Sequence, residues 1–210
     1  MGINVWEVID AAATKPHGFM PFYPGPGVGG HCIPLDPYYL AYEARRFGII
    51  PRFIEIAGEI NDFMRLHMVN LAEIGLEKAG RTLRNSTVAV VGLSYKKDIN
   101  DSRESPSKRI IEELIDGGAK VKVYDPYVTE LETHSGIFKS EPSLEAVLGG
   151  ADCAMFIVNH SRFKGLKASY FKSLMAHPVI IDGRNIFKTE EMTEIIYLAI
   201  GKPDRSLDVA

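Results

Sequence analysis

The 210-residue sequence is 46% hydrophobic and 24% charged, with a formal net charge of -3, which is typical of a globular protein with a sizeable core in one or two domains. The slight acidity argues against a nucleic-acid partner or an anionic membrane surface as a partner. No apolar run approaches the roughly 20 residues that cross a bilayer, and the first residues lack the pattern of a signal peptide.

The sequence contains two cysteines, Cys32 and Cys153. Cys153 lies in an apolar run that predicts a buried strand, so a disulfide framework is not expected and the chain fits a reducing cytoplasm. The six histidines are scattered without the spacing of metal ligands, so no metal site is expected.

The first predicted element is a helix over residues 3–13, where apolar residues recur with helical period. A chain that starts inside a helix is expected to be a piece of a longer protein. Residues 14–24 combine proline, glycine and aromatic side chains, and they predict an ordered loop that leads into residues 25–37.

Residues 25–37 read GPGVGGHCIPLDP, and they are the most informative stretch of the chain. Their glycines permit positive φ and leave backbone N–H groups unshielded, so a ligand can lie against them, although neither a dinucleotide nor a P-loop fingerprint is present. Cys32 is a candidate nucleophile, and Asp36 is a candidate base for the water that releases a covalent intermediate. Two structural alternatives stand beside this interpretation: Asp36 as an N-cap before Pro37, and Cys32 as a small buried hydrophobe.

Two helices are predicted after the glycines. A short one follows Asp36 and Pro37 and runs to about residue 47, and a long amphipathic one ends near residue 80. The long helix carries an apolar stripe that we interpret as core or subunit contact, with cofactor binding as the alternative; the stripe consists of Ile56, Ile60, Phe63, Met64, Met68 and Leu71.

The pattern changes at about residue 83, where short β-branched runs begin to alternate with helix-length segments. Strands are predicted over residues 87–93, 120–124, 154–158, 179–182 and 195–199, and helices over residues 105–116, 143–148 and 170–175. This alternation predicts a parallel, doubly wound sheet. The predicted fold class is therefore α/β, with a helical segment over residues 1–83 that carries the glycine run and a Rossmann-like domain over residues 84–210.

Sheets of this kind bind ligands outside the carboxyl ends of their strands. Lys96 follows the first predicted strand and Arg184 follows the fourth, and both cations suit an anionic group such as a diphosphate. The alternative for each is a solvated loop charge. Ser105 and Pro106 also predict a helix start, as N-cap and first helical residue.

Three motifs occur in the order typical of one enzyme family. They are GVGGHCIPLDP at residues 27–37, GLSYK at 92–96 with RESP at 103–106, and IDGR at 181–184. On these motifs the chain resembles the UDP-glucose/GDP-mannose dehydrogenase family over essentially its whole length. With a histidine before the cysteine, the chain resembles the branch of the family that acts on UDP-N-acetylglucosamine or UDP-N-acetylmannosamine. His31 is therefore expected to mark the branch rather than to act in catalysis.

The resemblance implies that a sugar C6 alcohol is oxidised to the carboxylate in two NAD-dependent steps. Cys32 would attack the C6 aldehyde to give a thiohemiacetal and then a thioester, and Asp36 would help water to hydrolyse it. The substrate-binding residues that the resemblance implies are Tyr23, Gly25, Gly27, Gly29, Gly30, Tyr95, Lys96 and Arg184. It also implies a homodimer that pairs through the central helices.

The family's amino-terminal dinucleotide-binding domain is expected to be absent from this sequence, since the turn at residues 92–95 lacks the required glycine spacing. NAD is therefore not expected to bind this chain alone, and the isolated chain is expected to be inactive as a dehydrogenase. Two alternatives stay open: a UDP-sugar-binding module without catalysis of its own, and a domain that serves assembly only.

Overall fold

The computed structural model describes residues 2–203, in which three helices precede an alternation of strands and helices. The helices are α1 (Val5–Ala13), α2 (Asp36–Arg46), α3 (Arg52–Lys78), α4 (Pro106–Asp116), α5 (Leu144–Leu148) and α6 (Ala168–Leu174). The strands are β1 (Thr87–Val91), β2 (Lys120–Tyr124), β3 (Glu130–Thr133), β4 (Gly136–Lys139), β5 (Cys153–Phe156), β6 (Val179–Asp182) and β7 (Ile196–Ala199).

Five strands form one sheet in the order β2-β1-β5-β6-β7, and every neighbouring pair is parallel. Successive residues of a strand face opposite sides of a sheet. Accordingly, Val88 and Val90 pack in the core that α3 and α4 cover, whereas Ala89 and Val91 pack in the core that α5 and α6 cover. Helices therefore cover both faces, and the predicted Rossmann-like α/β fold is confirmed.

Helix α3 links the helical segment to the sheet. Its second half buries Met68, Ala72 and Leu76 completely in the core beside β6 and β7. In its first half, Ile56 and Ile60 are 51% and 57% exposed. The predicted apolar stripe therefore belongs to the core only over its second half.

The two helix starts that the sequence suggested have different outcomes. Ser105 is the N-cap of α4, and its Oγ accepts a hydrogen bond from the Ser107 N–H at 3.3 Å, as predicted. The interpretation of Asp36 as an N-cap is wrong, because α2 begins at Asp36 itself and Leu35 holds the capping position. No side-chain hydrogen bond caps α2, so the Asp36 carboxylate is not committed to that role.

Strands β3 and β4 form an antiparallel hairpin that the sequence analysis did not predict. Each strand has four residues. The apolar signal of β3 is Leu131, which is 1% exposed, between Glu130 and Glu132. A single apolar position is too short a run for the two-residue alternation of a strand to be recognised.

Candidate active site

The glycine loop, defined as residues 25–30, meets the carboxyl edge of the sheet. Gly27 and Gly30 have φ values of +112° and +89°, a region that residues with a side chain rarely adopt. Gly25 is needed for a close approach instead, because a Cβ atom there would collide with the guanidinium group of Arg184. These contacts explain why the loop consists largely of glycine.

Two hydrogen bonds fix the glycine loop to different parts of the fold. The Gly30 N–H donates to the Arg103 carbonyl at 3.1 Å, and the Val28 N–H donates to Asn61 Oδ1 on α3 at 2.7 Å. The loop is thereby held between α3 and the segment that precedes α4.

A cavity of about 640 Å³ opens beside the glycine loop at the carboxyl edge of the sheet, and small-molecule sites typically measure roughly 300–1,000 Å³. The cavity brings together six of the predicted site residues, namely Gly29, Gly30, Cys32, Tyr95, Lys96 and Arg184. The rest of its wall consists of Val28, His31, Ile33, Lys97, Val158 and Asn159.

Arg184 is held at the end of β6 by contacts on several sides. Its backbone N–H donates to Asp182 Oδ1 at 2.9 Å. Its Nε donates to the Ile157 carbonyl at 3.3 Å, and its Nη2 donates to the Gly27 carbonyl at 3.4 Å. Burial lowers the pKa of Arg184, but a guanidinium group stays protonated in proteins. Gly25 and Gly27, which were predicted to bind substrate, therefore lie against the Arg184 guanidinium and do not line the cavity.

The cavity presents two cations that lack a carboxylate partner. Lys97 Nζ lies 3.8 Å from Asp98 Oδ2. Within residues 2–203, however, neither Lys96 nor Arg184 forms an ion pair with a carboxylate. Charged donors of this kind suit the oxygen atoms of a diphosphate.

Cys32 and Cys153 have opposite environments. Cys32 is exposed, whereas Cys153 is fully buried in β5, and burial raises the pKa of the Cys153 thiol. The interpretation of Cys32 as a buried hydrophobe is therefore wrong. The imidazole of His31 lies beside the Cys32 thiol, with Nδ1 3.7 Å from Sγ, so the two side chains share a direction that the sequence did not indicate.

Asp36 and Tyr23 do not line the cavity. Asp36 lies one helical turn beyond the thiol, and its backbone N–H donates to the Cys32 carbonyl at 2.8 Å. Tyr23 faces α1, where its hydroxyl donates to Asp10 Oδ1 at 2.8 Å and its ring stacks on Trp6 with centroids 5.3 Å apart. The backbone of Asp36 is therefore bonded to that of Cys32, whereas the Tyr23 side chain is bonded to α1.

A buried polar network behind the cavity was not predicted. Asp125, which follows β2, accepts hydrogen bonds from the Leu93 N–H at 2.6 Å and the Ser94 N–H at 3.0 Å. His160, which follows β5, places Nε2 3.0 Å from the same carboxylate. Burial alone would raise the pKa of Asp125, but these hydrogen bonds outweigh burial and hold that pKa below its usual value. Asp125 comes directly after β2 and His160 comes in the segment after β5, and this place beyond the carboxyl ends of strands is the signal that could have identified both residues.

Three further features of the described residues concern a metal site, a membrane-spanning helix and a cradle for dinucleotide phosphates. Within residues 2–203, no group of three or more His, Cys, Asp or Glu side chains is arranged to hold a metal ion. No helix in that part of the chain is both long and apolar enough to cross a membrane. The turn after β1 does not form a cradle for dinucleotide phosphates, because the N–H groups of Leu93 and Ser94 already donate to Asp125.

Two models of one protein family match this chain. The central-domain model of the UDP-glucose/GDP-mannose dehydrogenase family matches residues 1–63, and the UDP-binding-domain model of the same family matches residues 89–189. The chain belongs to the UDP-glucose/GDP-mannose dehydrogenase family. The first match contains the glycine loop and Cys32, and the second contains Lys96 and Arg184, so the cavity lies where the two matched regions meet.

Individual relatives agree with this assignment. A UDP-N-acetyl-D-mannosamine dehydrogenase of Pyrococcus horikoshii is 39% identical over 204 residues, which are 97% of this chain and 45% of that protein. The solved structure of UDP-D-ManNAc dehydrogenase from the same organism has a TM-score of 0.86 at 37% identity, over 97% of this chain and 45% of that one. An NDP-N-acetyl-D-galactosaminuronic acid dehydrogenase from Methanosarcina mazei has a TM-score of 0.88 at 34% identity, with the same coverage of 97% and 45%. The chain thus spans about half the length of these relatives.

Proposed function

We propose that this chain is the nucleotide-sugar-binding and thiol-bearing part of a dehydrogenase that oxidises the C6 alcohol of a UDP-N-acetylhexosamine to the carboxylate. The observation that carries the proposal is that one cavity is lined by Cys32, Lys96 and Arg184, and that neither cation forms an ion pair with a carboxylate of residues 2–203. A diphosphate bound to the two cations leaves the sugar to extend toward the thiol. The names of the Pyrococcus and Methanosarcina relatives support an N-acetylated sugar.

In this proposal each side chain has a stated chemical task. The Cys32 thiolate adds to the C6 aldehyde carbon and forms a thiohemiacetal, which keeps the reactive aldehyde on the protein. Once the carbon has been oxidised to the thioester, the Asp36 carboxylate takes a proton from the attacking water, and cleavage of the carbon–sulfur bond restores the thiol. Lys96 and Arg184 hold the diphosphate through charge-assisted hydrogen bonds.

Two oxidations, of the alcohol to the aldehyde and of the thiohemiacetal to the thioester, each need a hydride acceptor, which family membership implies to be NAD. Residues 2–203 do not fit its phosphates at the turn after β1, where Asp125 already occupies the Leu93 and Ser94 N–H groups and a Cβ at Gly92 would lie 2.8 Å from the Val158 backbone nitrogen. In this proposal NAD binds to a part of the full-length enzyme outside this range. We expect the isolated chain to bind the UDP-sugar without turnover.

Calorimetric titration of the purified chain tests the proposal. We expect UDP-N-acetylmannosamine or UDP-N-acetylglucosamine to bind and NAD to give no binding heat. No heat with either UDP-sugar would contradict the binding function. NADH formation by the isolated chain supplied with NAD and UDP-sugar would contradict the location that we assign to NAD.

A UDP-sugar-binding module without catalysis of its own is the second candidate, because the described residues contain the cation-lined cavity without a dinucleotide cradle. The full-length protein separates the two candidates. NADH formation that Cys32→Ser abolishes, while the Kd for UDP-sugar stays unchanged, indicates the dehydrogenase. UDP-sugar binding without any NADH formation indicates the module.

We also propose that the chain forms a homodimer through α3. Phe53, Ile56, Ile60 and Phe63 follow one stripe of this helix and are 92%, 51%, 57% and 53% exposed, and apolar surface of this kind is uncommon on a monomer. Sedimentation velocity is expected to give a dimer that Ile60→Glu converts to a folded monomer. Ile137→Glu is the control, since Ile137 is 63% exposed on the hairpin, away from the stripe.

A further inference from the structure

His160 is a fully buried residue whose ring contacts the loop that carries Lys96. Its Nδ1 accepts a hydrogen bond from the Asp98 N–H at 3.0 Å. Its Nε2 lies 3.0 Å from Asp125 Oδ2 and 3.2 Å from Ser94 Oγ. The ring therefore contacts Ser94 and Asp98, which lie two positions before and two positions after Lys96.

The hydrogen-bond partners of His160 determine its tautomer. A backbone N–H can only donate, so the Nδ1 atom that faces Asp98 carries a lone pair. Nε2 then carries the proton and donates it to the Asp125 carboxylate, which can only accept. The rings of Tyr127 and Phe163 pack against the imidazole, with centroids 5.1 Å and 5.4 Å away. The orientation of the ring is thus fixed by a hydrogen bond at each of its two nitrogen atoms.

The two ends of the loop are held by further contacts around His160. On one side, Ser94 Oγ donates to the Lys96 carbonyl at 2.8 Å. On the other side, Asp98 accepts hydrogen bonds from the Ser161 N–H at 2.8 Å and the Ser161 Oγ at 2.6 Å. Asp98 has a φ of +57°, a conformation that a residue with a side chain adopts only when its surroundings support it.

We infer that His160 is a positioning residue of the nucleotide-sugar site, which holds residues 94–98 in the conformation that presents Lys96 to the cavity. His160 does not line the cavity itself, so it acts through the loop and not through contact with the ligand. The inference rests on the proposed function, in which Lys96 binds the diphosphate. Its consequence is that His160 affects ligand affinity less once Lys96 has been removed, because only Tyr95 and Lys97 of this loop then still line the cavity.

A double-mutant cycle tests this consequence by measuring the Kd for UDP-N-acetylmannosamine, or for UDP-N-acetylglucosamine if that sugar binds more tightly. His160→Gln keeps a donor near the position of Nε2 and removes the acceptor of the Asp98 N–H. We expect Lys96→Ala to weaken binding about 10- to 100-fold. We expect His160→Gln to weaken it about 5- to 10-fold in the wild-type background and by a smaller factor in Lys96→Ala, where Tyr95 and Lys97 of the loop still line the cavity. An equal loss in both backgrounds would overturn the inference.

His177→Gln is the matched control. The His177 ring also pairs with a carboxylate, with Nδ1 2.7 Å from Asp152 Oδ1, but this pair lies before β5 and β6 at the amino edge of the sheet. We expect the control to leave the Kd unchanged. A loss of affinity as large as that of His160→Gln would show that any lost histidine–carboxylate pair weakens binding, and it would overturn the positioning role.

The wild-type chain provides a second test that does not depend on a variant that folds. Nitrogen-15 NMR of the His160 ring is expected to show a protonated Nε2 and an unprotonated Nδ1, and the ring signals are expected to shift when UDP-sugar binds. A proton on Nδ1, or ring signals that do not respond to bound UDP-sugar, would overturn the inference. Failure of the proposed function is distinct, because it appears as no UDP-sugar binding by a chain with the expected tautomer.

Discussion

The helical segment that precedes β1 and the sheet that follows it differ in how completely they bury apolar surface. All residues of β5 and β6 are buried. By contrast, every exposed large apolar side chain of the described residues except Ile137 lies between Ile3 and Ile74. The sheet is therefore covered on both faces, on one of them partly by the second half of α3, whereas the rest of the helical segment leaves apolar surface for a partner. The candidate active site forms where the glycine loop of the first region meets the carboxyl edge of the second.

The largest expected effect is on the free energy of unfolding, which a truncation in the sheet should lower far more than one on the exposed part of the helical segment. Phe156 is 0% exposed in β5 and packs edge-on against Phe187, with centroids 4.9 Å apart. Phe156→Ala is expected to lower the free energy of unfolding in urea by about 3–5 kcal/mol, because it opens a cavity in the core. Phe53→Ala, at a residue that is 92% exposed, is expected to change it by less than about 0.5 kcal/mol in the monomer. Similar losses for both variants would contradict the comparison.

Removing either Lys96 or Arg184 tests whether the cavity between the glycine loop and the sheet binds the diphosphate. Arg184→Ala and Lys96→Ala are each expected to weaken UDP-sugar binding by about 1.5–3 kcal/mol, because each loses a charge-assisted hydrogen bond. Calorimetric Kd values measure the effect. Lys139→Ala, on the hairpin strand β4, is the control and should leave the Kd unchanged. If neither cation alters the Kd, the diphosphate binds elsewhere.

A smaller effect is expected where the glycine loop touches the sheet region. Gly25→Ala places a methyl group against the Arg184 guanidinium, so the cation must move and UDP-sugar affinity should fall about tenfold, equivalent to about 1.4 kcal/mol. Gly48→Ala is the matched control, because Gly48 has a φ of +76° and open space around the position of a Cβ. The control should lower stability by about 1 kcal/mol without changing the Kd. Equal Kd values for Gly25→Ala and the wild type would show that this contact does not position Arg184.

The smallest effect concerns pH and the loop that carries Lys96. Hydrogen bonds from Ser161 lower the pKa of Asp98 to about 2, whereas the unfolded carboxyl has a pKa of about 3.9. The ionised group therefore stabilises the fold above about pH 4, and this contribution disappears as the pH falls toward about 2. Urea unfolding of the wild type and Asp98→Asn should differ at neutral pH and converge in acid. A difference between them that does not change with pH would contradict this assignment.

The features that could be predicted from the sequence are those with a signal in the local run of residues. The alternating polar and apolar residues of β2 over 120–124 follow a glycine pair, and this strand was predicted with the bounds that the structure shows. Cys32, Lys96 and Arg184 were predicted separately from chemistry and from strand ends, and the structure brings them to one cavity. The role of each side chain is still a prediction.

Other features depend on contacts between residues far apart in the chain. His160 contacts Ser94 and Asp125, and neither partner is close to it in sequence. The family resemblance implied that Tyr23 binds substrate, but in the structure its ring stacks on Trp6 of α1. No local pattern contains either contact, so local periodicity could not reveal them.

The claim on which the account rests is that the Cys32 thiol and the two cations share one nucleotide-sugar site. Alkylation by iodoacetamide, followed by peptide mass spectrometry, measures this directly, and the fully buried Cys153 serves as an internal control for folding. We expect saturating UDP-N-acetylmannosamine to slow the alkylation of Cys32 in the wild type and to give less protection at the same concentration in Arg184→Ala. Alkylation of Cys32 at an unchanged rate, in a chain that calorimetry shows to be saturated with UDP-sugar, would contradict the claim.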